Sequence, residues 1–168
     1  MLSKPTSSDL IEGVIMSLQN DILPDVGSER GQVLVVMMQG VLQNVRQRIE
    51  VEQQYMAEEH NQVVALFRKV AQTLGETPGA DADRIRQRAA TLGARPSMPE
   101  LPAFADLNSA YRDVSEGLVE TVRDLDALIR SGNPAAELAL TAVRAYLGER
   151  SVREFAVTVV GAGMVGRG

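Results

Sequence analysis

The sequence predicts an all-α fold, a helical bundle of four main helices with a proline-rich crossover. Three observations carry this. The stretch Ser28–Leu74 contains no proline. Its apolar residues recur by three, four or seven, the period of one helix face. Capping signatures stand where helices would have to start, at Thr6, Asn133 and Ser151.

Taken in order, Thr6 is the first N-cap, with Asp9 three residues on as a variant capping box. Leu10, Ile11, Val14, Leu18 and Ile22 follow at helical spacing, and Pro24 ends the element. The long segment, residues 28–74, uses Leu34, Met38, Val41, Val45, Ile49, Met56, Val63, Phe67, Val70 and Leu74 as its face, with Gly75 as C-terminal stop. A continuous helix there would be roughly 70 Å long, longer than a domain of this size is wide. It must break near Glu50–Glu59, bury its carboxylates against partners, or extend into another subunit. Residues 76–103 hold four of the seven prolines, Pro78, Pro96, Pro99 and Pro102. They read as a crossover with one short helix, about Asp83–Leu92, stopped by Gly93. A helix over Asp106–Arg130 uses Leu107, Tyr111, Val114, Leu118, Val122, Leu125 and Ile129, and leaves Asp113, Glu116, Glu120 and Asp124 to solvent. Asn133-Pro134 starts another, ending near Gly148, with Leu138, Ala139, Ala142, Tyr146 and Leu147 inside. Ser151 with Glu154 forms a full capping box and opens a last helix through Val160.

Composition bounds the function. The 168 residues suit one domain, 1–168, and 45% hydrophobic content rules out disorder. A net charge of −5 argues against a broad phosphate-binding surface, and six aromatic residues offer few stacking platforms, so no nucleic-acid partner is expected. The absence of cysteine excludes disulfides and thiol chemistry and fits a reducing cytoplasm. Met1-Leu2-Ser3-Lys4-Pro5 lacks the apolar core of a signal peptide, and the longest strongly apolar run, Val33–Met38, is too short to span a bilayer. The expected protein is cytoplasmic, with no membrane partner.

Three groups invite chemistry. Val159-Val160-Gly161-Ala162-Gly163-Met164-Val165-Gly166 matches the dinucleotide fingerprint. That site needs a helix opening at the loop and an acidic residue ~20 positions on; only Arg167 and Gly168 follow, so residues 161–168 are expected to be a flexible glycine-rich tail and no cofactor is expected. Glu52, Tyr55, Glu59 and His60 fall on or beside the apolar stripe and form the candidate polar pocket. A di-iron centre would need a glutamate three residues before each of two histidines; residue 57 is alanine and His60 stands alone, so no such metal site is assigned. Oxygen-only Mg²⁺ or Ca²⁺ binding and acid–base work by His60 stay open, against exposure on a projecting helix or pairing with arginine. Arg84, Arg86, Arg88 and Arg95 make the crossover basic. Arg84 and Arg88 share a helix face and are the candidate contact for an anion or acidic partner, against a role in balancing surface acids.

Pro5-Thr6-Ser7-Ser8-Asp9-Leu10-Ile11 through Leu18, with Asp21-Ile22-Leu23-Pro24, resembles the start of a family of small uncharacterised bacterial helical proteins. That family tends to accompany aminoglycoside-phosphotransferase-like kinases and acyl-CoA dehydrogenase-like enzymes. The resemblance implies an accessory protein and transfers no site. The sequence therefore points first to a non-catalytic cytoplasmic accessory or interaction bundle that is a homo-oligomer or binds a protein partner. The alternative is a small-molecule-binding protein or acid/base enzyme with its pocket around Glu52, Glu59 and His60.

Overall fold

The computed structural model describes residues 4–99 and 102–158, with side chains through Phe155. The described residues are helical and contain no strand. There are six α-helices rather than four: α1 (Ser7–Ser17), α2 (Glu29–Ile49), α3 (Glu52–Leu74), α4 (Ala80–Thr91), α5 (Phe104–Arg130) and α6 (Pro134–Thr158). They belong to two compact units, one made of Met1–Glu52 with Val152–Gly168, the other of Gln53–Ser151.

In the first unit, the capping box at Thr6 forms on both sides. The Asp9 amide donates to Thr6 Oγ1 at 3.2 Å, and the Thr6 amide donates to Asp9 Oδ2 at 2.8 Å. After Ser17 the chain widens into one π turn, Leu18–Ile22, and tightens into a 3₁₀ turn, Leu23–Asp25, at Pro24. Ser28 then caps α2, its hydroxyl accepting from the Gly31 amide at 3.1 Å. The two helices pack as a hairpin. Arg46 reaches Glu12 at 2.9 Å and Ser8 at 3.4 Å, and Gln39 donates to the Ile15 carbonyl at 3.5 Å.

The long helix does break, at Glu50–Val51, where no proline or glycine marks the position. A tight turn and one side-chain contact from α1 mark it. Ser8 donates to Glu50 Oε1 at 3.2 Å, and the Val51 amide closes a tight turn on the Arg48 carbonyl. The face expected to form one core changes role at this point. Leu34, Met38, Val41, Val45 and Ile49 are exposed, whereas Val63, Phe67, Val70 and Leu74 are buried.

The second unit holds the main core. Val63, Val64, Phe67, Val70 and Leu74 of α3 pack with Ala82 and Ile85 of α4, Val114, Leu118, Leu125 and Leu128 of α5, and Ala136, Ala139, Val143 and Tyr146 of α6. The short crossover helix exists and starts slightly earlier than its spacing suggests. Gly79 and Gly132, before α4 and after α5, hold φ of 118° and 84°, left-handed values that favour glycine. Asn133 caps α6, accepting from the Ala136 amide at 3.1 Å.

Three local expectations need correction. Ser151 caps nothing; its hydroxyl bonds back to the Leu147 carbonyl at 2.9 Å, and α6 runs on through it as one helix. The bond satisfies the hydroxyl inside a helix, which removes the competition that would otherwise end it. Leu138 and Leu147 point outward, while α6 turns Ala139 and Tyr146 inward as expected, together with Ala136 and Val143. Asp124 is buried rather than solvated, since α4 covers the flank of α5 that carries it. The glycine-rich stretch 161–168 lies outside the described residues.

Packing separates two helical glycines. A Cβ on Gly40 would meet no atom within 4 Å, whereas one on Gly117 would press on Leu92 and lie 3.1 Å from buried Phe67. Gly40→Ala is expected to stabilise the protein by about 1 kcal/mol from helix propensity. Gly117→Ala is expected to lose that gain to overpacking. Urea unfolding followed by helical circular dichroism checks the contrast; equal gains at both positions would contradict the close packing at Gly117.

Candidate functional site

Glu59 and His60 are neighbours on α3, and both are turned inward, with 6% and 0% of their surface exposed. They nevertheless serve different clusters, because adjacent positions on a helix diverge by about 100°.

Glu59 is met by α5 and α6. The Tyr111 hydroxyl donates to Glu59 Oε2 at 2.6 Å, and Arg150 Nε stands 3.5 Å from the same oxygen. A carboxylate taken this far out of water needs such partners. Burial pushes the Tyr111 phenol well above its ordinary range, and the Glu59 carboxylate reinforces the shift. Tyr111 is therefore a proton donor to Glu59 at neutral pH and is not available as a base. The stability linked to this phenol is complete below its ordinary value of 10.0 and declines as pH rises above it.

His60 belongs to a clamp on the crossover. Its Nδ1 lies 3.2 Å from Asn61 Oδ1. The same Asn61 oxygen accepts from the Met98 amide at 2.7 Å, and Asn61 Nδ2 donates to the Met98 carbonyl at 3.2 Å. Asn61 thus holds a stretch of chain by both of its backbone groups. With Asn61 Oδ1 as the acceptor, His60 carries its proton on Nδ1. Its Nε2 is buried and has no hydrogen-bond partner.

Tyr55 and Glu52, the other predicted pocket residues, lie at the start of α3. Tyr55 is half-buried on the first turns of α3. Glu52 belongs to the first unit, is largely exposed, and pairs with Arg48 at 3.5 Å. Among the described residues, no three acidic, histidine or cysteine side chains gather closely enough to hold a metal ion.

The crossover arginines have internal partners. Arg84 and Arg88 share a face of α4 and both reach Asp124 of α5, Arg84 with 2.6 Å to Oδ1 and Arg88 through a short contact to Oδ2. Arg84 also contacts Asp81, and Arg88 reaches the Thr121 hydroxyl at 3.2 Å. An incoming anion would have to compete with Asp124 for these guanidiniums. Arg86 donates to the Gly75 and Thr77 carbonyls at 2.9 and 3.0 Å, satisfying the C-terminal end of α3. Arg95 pairs with Asp113 at 2.8 Å. Burial alone would push the Asp124 carboxyl up, yet hydrogen bonds from Arg84 and Arg88 outweigh it and hold the pKa below the ordinary carboxylate value.

Sequence reasoning missed Tyr111, Arg150, Asn61 and Asp124 as members of these clusters. Tyr111 carried a signal, since its spacing put it on the apolar face of α5, whereas Asp124 was read as solvated. Comparison with protein-family profiles, with curated proteins and with solved structures returned no match for this chain.

Two variants probe the clusters. Asp124→Asn leaves two arginines facing a neutral amide and is expected to cost about 2–3 kcal/mol at pH 7, moderated because Arg84 reaches solvent. A depressed carboxyl stabilises fully above its unfolded pKa and loses this as pH falls on through its lowered folded value, so the gap to the parent protein should narrow as pH falls below about 4. Paired denaturation curves at pH 7 and pH 3 check this. Tyr111→Phe strands part of the Glu59 carboxylate and is expected to lower stability by about 1–2 kcal/mol. In the parent protein, ultraviolet titration of the three tyrosines should show one that ionises only as the helices unfold.

Proposed function

We propose that this protein is a non-catalytic cytoplasmic accessory protein that works by association, self-associating through the α1–α2 hairpin. The carrying observation is the imbalance in that hairpin. Of its own apolar side chains only Leu18 and Val35 are buried, while Leu10, Val14, Met16, Ile22, Val33, Leu34, Val36, Met37, Met38, Val41, Val45 and Ile49 are exposed. An apolar surface that extensive on a soluble chain marks a contact surface. Among the described residues no helix is long and apolar enough to cross a membrane, which leaves a protein contact as the better use of the face. The resemblance of the N-terminal helix to bacterial accessory proteins supports the same role.

The polar clusters of the second unit support a structural reading more than a catalytic one. Glu59, Asp124 and the crossover arginines have protein partners, and the acid and histidine of the expected pocket serve separate clusters. The buried, unpartnered Nε2 of His60 is the one observation that favours the small-molecule alternative.

Size-exclusion chromatography with light scattering tests the association. The expected result is a mass of twice 18.2 kDa or more at micromolar concentration, falling to a monomer in Val41→Glu with helicity retained. A clean monomer of the parent protein at high concentration would remove the proposal. A thermal-shift screen with metals, nucleotides and acyl-CoA compounds tests the alternative: a shift abolished by His60→Ala in a folded variant would favour it.

A further inference from the structure

Six of the exposed apolar residues of the hairpin gather on one side of it, while Val33, Val36 and Met37 lie on the other flank of α2. Gln39 and Arg46 fix which side of α2 faces α1, and Ser8, Glu12 and Ile15 fix the matching side of α1. At about 100° per residue, Leu34, Met38, Val41, Val45 and Ile49 lie roughly a quarter turn from that contact. On α1, Val14 lies about a third of a turn from it, whereas Leu10 lies nearly opposite. The helices run antiparallel, so the sense of rotation reverses and Val14 emerges on the same side as the α2 stripe. The pairing of Arg46 with Ser8 and Glu12, and of Gln39 with Ile15, sets the levels: Val14 stands near Val41. Each of these six residues retains between 43 and 52% of its surface. The result is one continuous apolar face.

We infer that this face packs against the same face of a second copy across a two-fold axis, with α2 antiparallel to α2 and the axis near Val41. This rests on the self-association proposed above and specifies its geometry. Three observations select a second copy. First, the stripe Leu34, Met38, Val41, Val45, Ile49 is nearly self-reversing. Laid antiparallel on itself, Leu34 meets Ile49, Met38 meets Val45 and Val41 meets its own counterpart, so every apolar side chain finds another. Second, α2 carries no charged residue from Gly31 through Val45. An exposed helix normally places charge on its open side, and the core of an interface is where charge is depleted. No like charges are brought together at the seam. Third, the six residues offer on the order of 500 Å² per copy, the larger part of the ~800 Å² per partner of a standard interface before any rim is counted. Residues 4–52 carry seven acidic and four basic side chains, which opposes the alternative of an anionic lipid surface. Two hairpins joined this way make a four-helix bundle, the smallest arrangement that gives each hairpin a core.

The cysteine-free chain allows a direct test by disulfide trapping under mild oxidation. Val41→Cys is expected to form a disulfide-linked dimer in high yield. Leu34→Cys and Ile49→Cys should each stay largely uncrosslinked alone, and an equimolar mixture of the two should give a mixed dimer, distinguished by a size tag on one partner. Circular dichroism of each variant, and its mass by light scattering without oxidant, show whether it folds and associates. A folded dimer in which Leu34→Cys links efficiently to itself, or in which the mixture gives no mixed dimer, would overturn the antiparallel seam while leaving self-association standing. A parent protein that is monomeric, whether free or floating with phosphatidylcholine vesicles, would overturn both.

Discussion

The burial of one wide face of α3 sets the terms for the whole second unit. Val63, Val64, Phe67, Val70 and Leu74 lie against α4, α5 and α6 with almost no exposed surface. That face is wide enough to carry Glu59 and His60 inward with it. Once a carboxylate and an imidazole are taken out of water, the surrounding helices must answer them. Tyr111 and Arg150 answer Glu59, and Asn61 answers His60. The same demand recurs at Asp124, where α4 packs on α5 and brings Arg84 and Arg88 to the one acid it covers. The polar clusters are thus consequences of packing, and they help to fix the crossover. Asn61 grips Met98, Arg68 donates to the Gly93 carbonyl, and Arg95 pairs with Asp113.

The hairpin of the first unit faces the opposite problem. Two helices packed side by side cannot enclose a core, since each gives the other only one stripe of cover. Hydrogen bonds among Ser8, Glu12, Gln39, Arg46 and the Ile15 carbonyl cross the α1–α2 contact, and Leu18 and Val35 are the apolar side chains buried in the hairpin. Other apolar side chains are left on an adjoining face. Burial of that face would drive the association proposed above. The division of labour follows: one unit buries its apolar surface within itself, and the other presents it.

Much of the secondary structure was legible because it is governed locally. The Thr6 and Asn133 caps, the stop at Pro24, the short crossover helix and the span of α5 all depend on residues within a turn or two of one another. Where the reading failed, the deciding partner was distant or competed unseen. The break at Glu50–Val51 has no breaker residue and involves Ser8, forty-two positions away. The capping box at Ser151 has the right spacing, yet its hydroxyl finds the Leu147 carbonyl and the helix continues. The apolar period along α2 was read correctly as a helix face, but periodicity does not say what covers a face.

By itself, then, the sequence determined that this protein is all-helical, where several of its helices begin and end, and that α2 is apolar far beyond what a solvated helix needs. These follow from backbone capping and the 3.6-residue repeat, which act over a few residues. Only the tertiary structure decided that Glu59 meets Tyr111 and Arg150, that His60 turns away from it into a backbone clamp, that Arg84 and Arg88 converge on Asp124, and that α1 leaves the main stripe of α2 open. Each of those outcomes depends on which helix lies beside which, and that choice is made by the collective burial of the apolar faces rather than by any local residue pattern.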